Sequence, residues 1–598
     1  MTYRPPVRDM SFALNEIAGL KDLCGTQAFP DLEPDLIEQV LEESGRMAGD
    51  LLAPLNWTGD QQGARLEADG VKAPDGFADA YKQWFEAGWC SIPGDVNYGG
   101  QGLPLALAVA VQEYINQANM AFGLCPMLSQ GAVESLTQHG SDELREKYLP
   151  KLLSGEWTGS MNLTEPQAGS DVGALKAKAE PVGDGSYKIK GTKIYITWGD
   201  HDMAENIIHL VLARLPDAPE GTKGVSLFLV PKYFVNDDGS LGEANDLKCI
   251  GLEKKLGIHA SPTCVMSYGE NDGAIGWLIG EENKGMRCMF TMMNNARLNV
   301  GMQGVGIAER AYQQALDYAM ERRQGKAHTP YTESQDGPSA IIDHPDIRRT
   351  LMTMKAMTEA TRGICYANAV AIDLEHNGDD ETRRKWGQGR AALLTPISKG
   401  FSTDIGVDVA SMGIQIHGGM GFIEETGAAQ HLRDSRIAPI YEGTNGIQAI
   451  DLVTRKLTMN GGEVIADFLN EIDDTAKQCA ASNDEKLVTI GRELADANAV
   501  LRETTDWLLE AMKTEATDAL GGATPYLKMI GTVAGGAYLA KGALAAHPKA
   551  ADDAYLAGRV EMAAFYATNI LPQAAGLKAP VTSGAQGLYA LSPDLLAS

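Results

Sequence analysis

The 598-residue sequence is short of positive charge. Its 51 lysines and arginines face 79 aspartates and glutamates, for a net charge of −28. Binding to a phosphate backbone needs a basic footprint, so nucleic acid is not an expected partner. A small anion held in a local basic pocket stays compatible with this balance. Paired cysteines are missing too. The eight cysteines, at 24, 90, 125, 249, 264, 288, 365 and 479, include no CxxC pair. That spacing suggests neither a zinc site nor a disulfide framework and fits a reducing compartment. Long apolar runs are also absent. The stretch 526–544 is broken by Lys528, Lys541 and several glycines, too short and too charged to span a bilayer, so no membrane partner is expected. The opening Met1-Thr2-Tyr3-Arg4-Pro5-Pro6 carries no apolar signal segment, and a cytoplasmic location is expected. A dinucleotide fingerprint is lacking. Gly301, Gly304 and Gly306 read GxxGxG inside a helical pattern, where the fingerprint requires a strand-to-helix turn. Close helix packing explains them better. No internal repeat stands out.

What is present reads as an ordinary globular chain, 44% hydrophobic and 22% charged, too long for one core and expected to form three or four domains. Residues 1–157 read as helical, with helices over 31–52, 103–121, 131–139 and 142–153 and a glycine-rich turn at 94–102. From 158 the pattern alternates and turns β-branched. Strands are expected over 187–197, 206–213, 224–230 and 263–267, in a β domain ending near 280. The helical period returns at 283. Met286, Met289, Phe290, Met293 and Arg297 share one stripe. Methionines so placed are usually core filler, but a buried Arg297 would need a partner. A polar loop is read over 327–340. The segment 460–598 is Ala-rich and helical (463–478, 484–512, 525–545, 550–570), and Gly461-Gly462 mark its boundary.

One stretch concentrates chemistry: Ile440-Tyr441-Glu442-Gly443-Thr444-Asn445-Gly446-Ile447-Gln448. A carboxylate set among Ile, Pro and Tyr loses water, which raises its pKa towards the range of a general base near neutral pH. Gly443 lets the backbone pass close to a ligand. Thr444 and Asn445 offer short polar groups for a cofactor phosphate or a helix cap. Taken alone, the stretch also reads as a surface Glu at a capped helix start. Four more stretches are notable. Leu163-Thr164-Glu165-Pro166-Gln167-Ala168-Gly169-Ser170-Asp171 is a loop whose hydroxyls and N–H groups suit a flavin edge or a phosphate. Lys193-Ile194-Tyr195-Ile196-Thr197-Trp198-Gly199 is a strand with a Gly exit. Glu321-Arg322-Arg323-Gln324-Gly325-Lys326 ends a helix with cations, as the macrodipole favours. Gln415-Ile416-His417-Gly418-Gly419-Met420-Gly421-Phe422 is a glycine-rich turn.

In this order, the five stretches resemble the acyl-CoA dehydrogenase family over residues 30–457. The resemblance implies an α+β multidomain fold: an N-terminal helical domain (1–157), a middle β domain (158–282), a helical bundle carrying the catalytic Glu (283–459), and an extra C-terminal helical domain (460–598). The opening residues and the C-terminal extension resemble one branch, which contains the bacterial 3-methylmercaptopropionyl-CoA dehydrogenases of dimethylsulfoniopropionate breakdown. By resemblance, Glu442 is the catalytic base, and Tyr441 and Gly443 border the acyl substrate. Arg297 lies near the CoA moiety. Thr164, Ser170, Tyr195, Thr197 and Thr444 contact FAD. Arg322, Gln415 and Gly419 serve FAD across a homodimer interface. The sequence departs from the family pattern at three places. The Arg322 motif is one residue short, Asn294 stands where Asp is frequent, and His417 replaces an apolar residue.

The implied reaction is FAD-dependent α,β-dehydrogenation of a short acyl-CoA, with no metal and with an electron-transfer flavoprotein as acceptor. A short- or medium-chain enzyme of β-oxidation and an acyl-CoA oxidase share these motifs and stay open. A DNA-associated relative would need a basic groove, which the net charge disfavours.

Overall fold

The computed structural model describes residues 3–328, 331 and 337–598. Half of the polar loop read over 327–340, and the first two residues, lie outside the described residues. The chain divides into two compact units, Glu43–Asn299 and a second made of Met1–Glu42 with Val300–Ser598.

The first unit is built on a sheet of eight strands. Seven lie side by side in the order Leu247–Leu252, Thr263–Tyr268, Ser186–Thr197, Ala274–Ile279, Ser226–Pro231, Asn206–Ala213 and Trp157–Asn162, and Lys178–Pro181 pairs with Ser186–Thr197. All pairs are antiparallel except the last in the row. Asn206–Ala213 and Ser226–Pro231 are buried at every position, as central strands covered on both faces must be. Ile189, Ile196, Val211, Phe228, Val230 and Met266 fill the core of this unit. The β-branched pattern of the sequence placed Ser186–Thr197, Asn206–Ala213, Ser226–Pro231 and Thr263–Tyr268. It missed Lys178–Pro181, Leu247–Leu252 and Ala274–Ile279, which are short and held by their neighbours more than by propensity.

The helices expected over 103–121 and 131–139 are one element, Leu105–His139. Its break is at Asn119 (φ −161°). The Asn119 side chain accepts from the Phe122 N–H at 3.1 Å, restarting the helix like a cap. The helix expected over 31–52 is Pro34–Met47 followed by a single π turn, Ala48–Leu52. The region read as wholly helical also contains a small hairpin, Arg65–Glu67 with Gly70–Lys72. The methionine stripe is rotated from the expected face. Cys288, Met289 and Met292 are buried, and Phe290 is exposed.

The second unit is helical. Pro345–Asn377 and Glu381–His417 are long partners. A Cβ on Gly301 would come within 2.6 Å of the Ser398 carbonyl, and one on Gly304 within 2.2 Å of that of Ser402. These glycines are thus where helices touch through backbone. The C-terminal segment folds as Glu463–Ala480, Glu485–Thr514, Ala523–Ala546 and Ala554–Asn569, close to the spans read from periodicity. Among the described residues, no helix is long and apolar enough to cross a membrane.

Candidate active site

The chemistry-bearing residues fall in both units, and each group has its own local logic.

In the helical unit, helix Ala428–Ser435 gives way to a tight turn. The Ile440 and Tyr441 N–H groups donate to the Ile437 carbonyl at 2.9 and 3.0 Å, and the Asn445 N–H donates to that of Pro439 at 3.0 Å. Glu442 and Gly443 at its tip are both left-handed (φ 56° and 83°). Glycine adopts that conformation freely, but a glutamate does so at a cost of about 1–2 kcal/mol and only where surroundings enforce it. The enforcing contacts are visible. Gln448 is buried, and its amide donates to the Glu442 and Gly443 carbonyls at 3.4 and 3.2 Å. Asn445 donates to the Gly400 carbonyl (3.0 Å), Thr403 Oγ1 (2.9 Å) and Asp404 Oδ1 (2.7 Å), and accepts from the buried Lys399 Nζ at 2.8 Å. Burial pushes the Asp404 carboxyl above its ordinary range. The Tyr441 hydroxyl donates to Gln303 Oε1. Burial, with the Glu442 charge beside it, raises the Tyr441 phenol pKa, so the hydroxyl keeps its proton. Glu442 is thus presented, half-buried, on a turn locked from beneath.

The Asn445 side chain is engaged by helix Glu381–His417. Thr444 takes the cap role: its hydroxyl accepts from the Ile447 N–H at 3.3 Å and opens helix Asn445–Asp451.

In the sheet unit, the loop after strand Trp157–Asn162 is organised by Glu165. Its carboxylate accepts from Lys193 Nζ at 2.8 Å, from the Lys176 and Ala177 N–H groups at 2.6 and 3.0 Å, and from Gln167 Nε2 at 2.7 Å. Lys193 also donates to the Leu163 carbonyl at 3.0 Å. Lys193 is 0% and Glu165 4% exposed. Burial pulls the Lys193 pKa down to about 8, with Glu165 opposing. Burial raises the Glu165 pKa, but the Lys193 charge and the hydrogen bonds outweigh it and leave the carboxyl below its ordinary value. Around this anchor the loop presents its small residues. Ser170 is exposed, Thr164 is half-buried, and a Cβ on Gly169 would meet nothing within 4 Å.

Strand Ser186–Thr197 carries a bulge, because Ile194 and Tyr195 together oppose Val265. Tyr195 sits at φ 60° and is 59% exposed. Trp198, just past the strand, is also left-handed (φ 49°), and its indole N–H donates to the Ala121 carbonyl at 3.1 Å. Bulges re-aim side chains next to functional sites. Here the bulge turns an aromatic ring outward, two residues before the half-buried Thr197. Free hydroxyls, open backbone at Gly169 and an exposed ring suit a flat, polar heterocycle.

The remaining expected site residues are on other elements. Arg297 is buried within helix Gly285–Glu321. Arg322 is exposed just past that helix and donates to Gln324 Oε1 at 3.2 Å. Gln415 and Gly419 are exposed around the end of Glu381–His417. His417 is buried and stacked on Tyr318, and its Nδ1 bonds the Gly413 carbonyl at 2.7 Å, a structural placement. No group of His, Cys, Asp and Glu able to hold a metal occurs among the described residues.

The fold and this glutamate turn define a class. Models of the acyl-CoA dehydrogenase N-terminal, middle and C-terminal domains match residues 61–156, 160–269 and 283–457. An acetyl-CoA dehydrogenase C-terminal-like model matches 468–592. The chain belongs to the acyl-CoA dehydrogenase family. Over 595 residues it is 44% identical to the 3-methylmercaptopropionyl-CoA dehydrogenase of Ruegeria pomeroyi, covering 99% of this chain and 100% of the relative. A butyryl-CoA dehydrogenase of Syntrophomonas wolfei is 36% identical, covering 96% of each. The solved structure of Caenorhabditis elegans ACDH-11 in complex with C11-CoA superposes with a TM-score of 0.76 at 21% identity, over 95% of this chain and 91% of the other; this is a likeness of fold.

Proposed function

We propose that the protein catalyses FAD-dependent α,β-dehydrogenation of a short acyl-CoA thioester, 3-methylmercaptopropionyl-CoA to methylthioacryloyl-CoA, in dimethylsulfoniopropionate breakdown. The observation that carries the reaction is Glu442, a non-glycine residue locked in a left-handed turn by Gln448, Asn445 and Tyr441. Strain of this kind clusters at active sites and supports Glu442 as the base. The choice of substrate rests on the full-length 44% identity.

Glu442 takes the α-proton onto its carboxylate. Its backbone N–H is the donor we assign to the thioester oxygen, where enolate charge develops. The hydrogen on the β-carbon departs with its electron pair, leaving a double bond between the two carbons. Bound FAD supplies the hydride acceptor. We assign Thr164, Ser170, Tyr195, Thr197 and Thr444 to FAD, and Tyr441, Gly443 and Arg297 to the substrate. The open loop at Gly169 and the outward ring of Tyr195 support the first set. The four-part domain division stays our reading, and the matched ranges support it.

Electron-transfer flavoprotein is the proposed acceptor, the cytoplasm the proposed location, and a homodimer the proposed assembly, with Arg322, Gln415 and Gly419 serving the neighbour's FAD. The exposed Met420, Phe422 and Ile423 beside that turn support an interface. Sedimentation should find FAD only in dimers or larger species; a monomer with full FAD contradicts this assembly.

Anaerobic flavin bleaching tests the substrate. Fast bleaching by 3-methylmercaptopropionyl-CoA, or by it and butyryl-CoA, is expected. Preference for octanoyl-CoA or isovaleryl-CoA would discard the substrate and keep the reaction.

A further inference from the structure

Within the helical unit, a cavity of about 420 Å³ opens where the N-terminal segment, helices Pro345–Asn377 and Glu381–His417, and the C-terminal helices Glu463–Ala480 and Ala523–Ala546 meet. That volume lies within the roughly 300–1,000 Å³ of small-molecule sites. All its lining residues are remote in sequence from the Glu442 turn. Its wall is net cationic in a chain of charge −28: Arg383, Arg390 and Lys541 against Asp22 and Glu471.

Two of these cations are already engaged. Arg390 grips Glu471 with both terminal nitrogens, one bond measuring 2.9 Å, and is sandwiched between the Trp386 and Phe468 rings at 4.8 and 4.7 Å. Arg383 pairs with Asp379 at 3.1 Å. Lys541 differs. It interrupts an apolar helix and is half-buried. It lies over the Tyr538 ring at 5.4 Å. It makes no hydrogen bond or ion pair with any described residue. Burial lowers its pKa, with Glu471 opposing. A desolvated ammonium in a cavity wall calls for an anion. Val370, Leu374 and Ile17 supply an apolar floor, and the half-exposed Trp386 a flat edge.

We propose that this cavity binds a small organic monocarboxylate: its carboxylate meets Lys541, and its apolar body lies on Val370, Leu374 and Ile17. Arg383 and Arg390 each hold a carboxylate of their own, in Asp379 and Glu471, so Lys541 is the wall cation left to meet one negative charge. A phosphate dianion would call for a second cation, and Arg390 already faces the Glu471 carboxylate with both terminal nitrogens. A ligand here would touch the N-terminal segment, the central helices and the C-terminal extension together, and so would tighten the extension onto the rest of its unit.

Isothermal titration of the holoenzyme with hexanoate and benzoate tests this, with hexanol, hexylamine and inorganic phosphate as comparisons. Saturable binding of one carboxylate per chain is expected, with none of the three comparison compounds binding comparably. Lys541→Gln should weaken it about tenfold. Lys541→Arg should restore it, and turnover should be unchanged in both variants. If Lys541→Gln fails to fold, Lys541→Arg paired with Val370→Trp, which fills the floor, replaces it. No saturable heat, equal binding of hexylamine or phosphate, or undiminished binding in the charge-deleted or floor-filled variant would overturn the proposal.

Discussion

Glu442 owes its left-handed backbone to hydrogen bonds beneath its turn. Asn445 and Gln448 bind the turn from below, and each buried hydrogen bond left unmade costs about 1–3 kcal/mol. Asn445→Ala also takes an acceptor from the buried Lys399. It should retain FAD, lower kcat by at least about tenfold and leave KM within a few-fold, because the carboxylate loses its aim and the binding surface persists. Steady-state kinetics with flavin content checks this; wild-type kcat would show that the turn holds itself. The Glu165–Lys193 pair invites a second test. Both groups are buried, so Glu165→Gln strands an ammonium and should cost about 3–5 kcal/mol in denaturant unfolding, while Glu165→Gln with Lys193→Met should recover much of it. Equal loss in both variants would show that the hydrogen bonds to Lys176 and Ala177 matter more. The sequence displayed Glu442 openly, with an acid between an aromatic ring and a glycine. Asn445 and Gln448 lay in the same stretch, but their role was hidden, because partners such as Lys399 and Gln303 are brought to the turn by folding from far along the chain. Glu165 and Lys193 sat inside quoted motifs, yet nothing local announced that they pair across 28 residues.

The sheet carries a polar layer that alternation alone does not reveal. His209 Nδ1 bonds Ser160 Oγ at 2.8 Å, and His201 Nε2 bonds Thr158 Oγ1 at 3.0 Å. Burial first, then the Lys232 charge, pulls both pKa values down to about 3. His431 in the helical unit is lowered to about 3 by burial and nearby cations. The folded protein thus holds these rings neutral while the unfolded chain protonates them below about 6.5. The unfolded state binds more protons between about 6.5 and 3, so stability falls as pH drops through that window, by about 1.4 kcal/mol per pH unit for each ring. Equilibrium unfolding between pH 7 and 5 should show the fall, above the range where Glu165 and Asp9 titrate, and His209→Gln should flatten it. A level profile would mean that these rings stay accessible to protons. The strands themselves were legible where β-branched and apolar residues ran together, including Asn206–Ala213 and Ser226–Pro231, which are buried throughout. Helix limits were misread where one side chain decides, as at Asn119.

A buried ionic network binds the ends of the chain to the middle of the helical unit. Lys355 meets Asp9 and Glu359, Arg559 meets Glu359 at 2.6 Å and Asp9 at 3.5 Å, and Arg362 meets Glu309 at 2.9 Å. Asp9 comes from the N-terminal segment and Arg559 from the C-terminal extension. Opposing charges hold Asp9 well below the usual carboxylate range against its burial. Arg559→Met should therefore destabilise the unit by about 3–5 kcal/mol and expose the C-terminal helices to limited proteolysis before the remainder; unchanged cleavage would show that apolar packing alone retains them. Composition indicated several domains and no basic surface, and periodicity placed the C-terminal helices within a few residues. It could not show that the extension is fastened by charges from both ends of the chain.

The decisive measurement is anaerobic bleaching of the flavin by 3-methylmercaptopropionyl-CoA in the native protein and in Glu442→Gln, with bound FAD confirmed in both. The native flavin should bleach within turnover time, and the variant should bleach more slowly by roughly 10²–10⁴. Bleaching at the native rate in Glu442→Gln would contradict the assignment of this strained glutamate as the base.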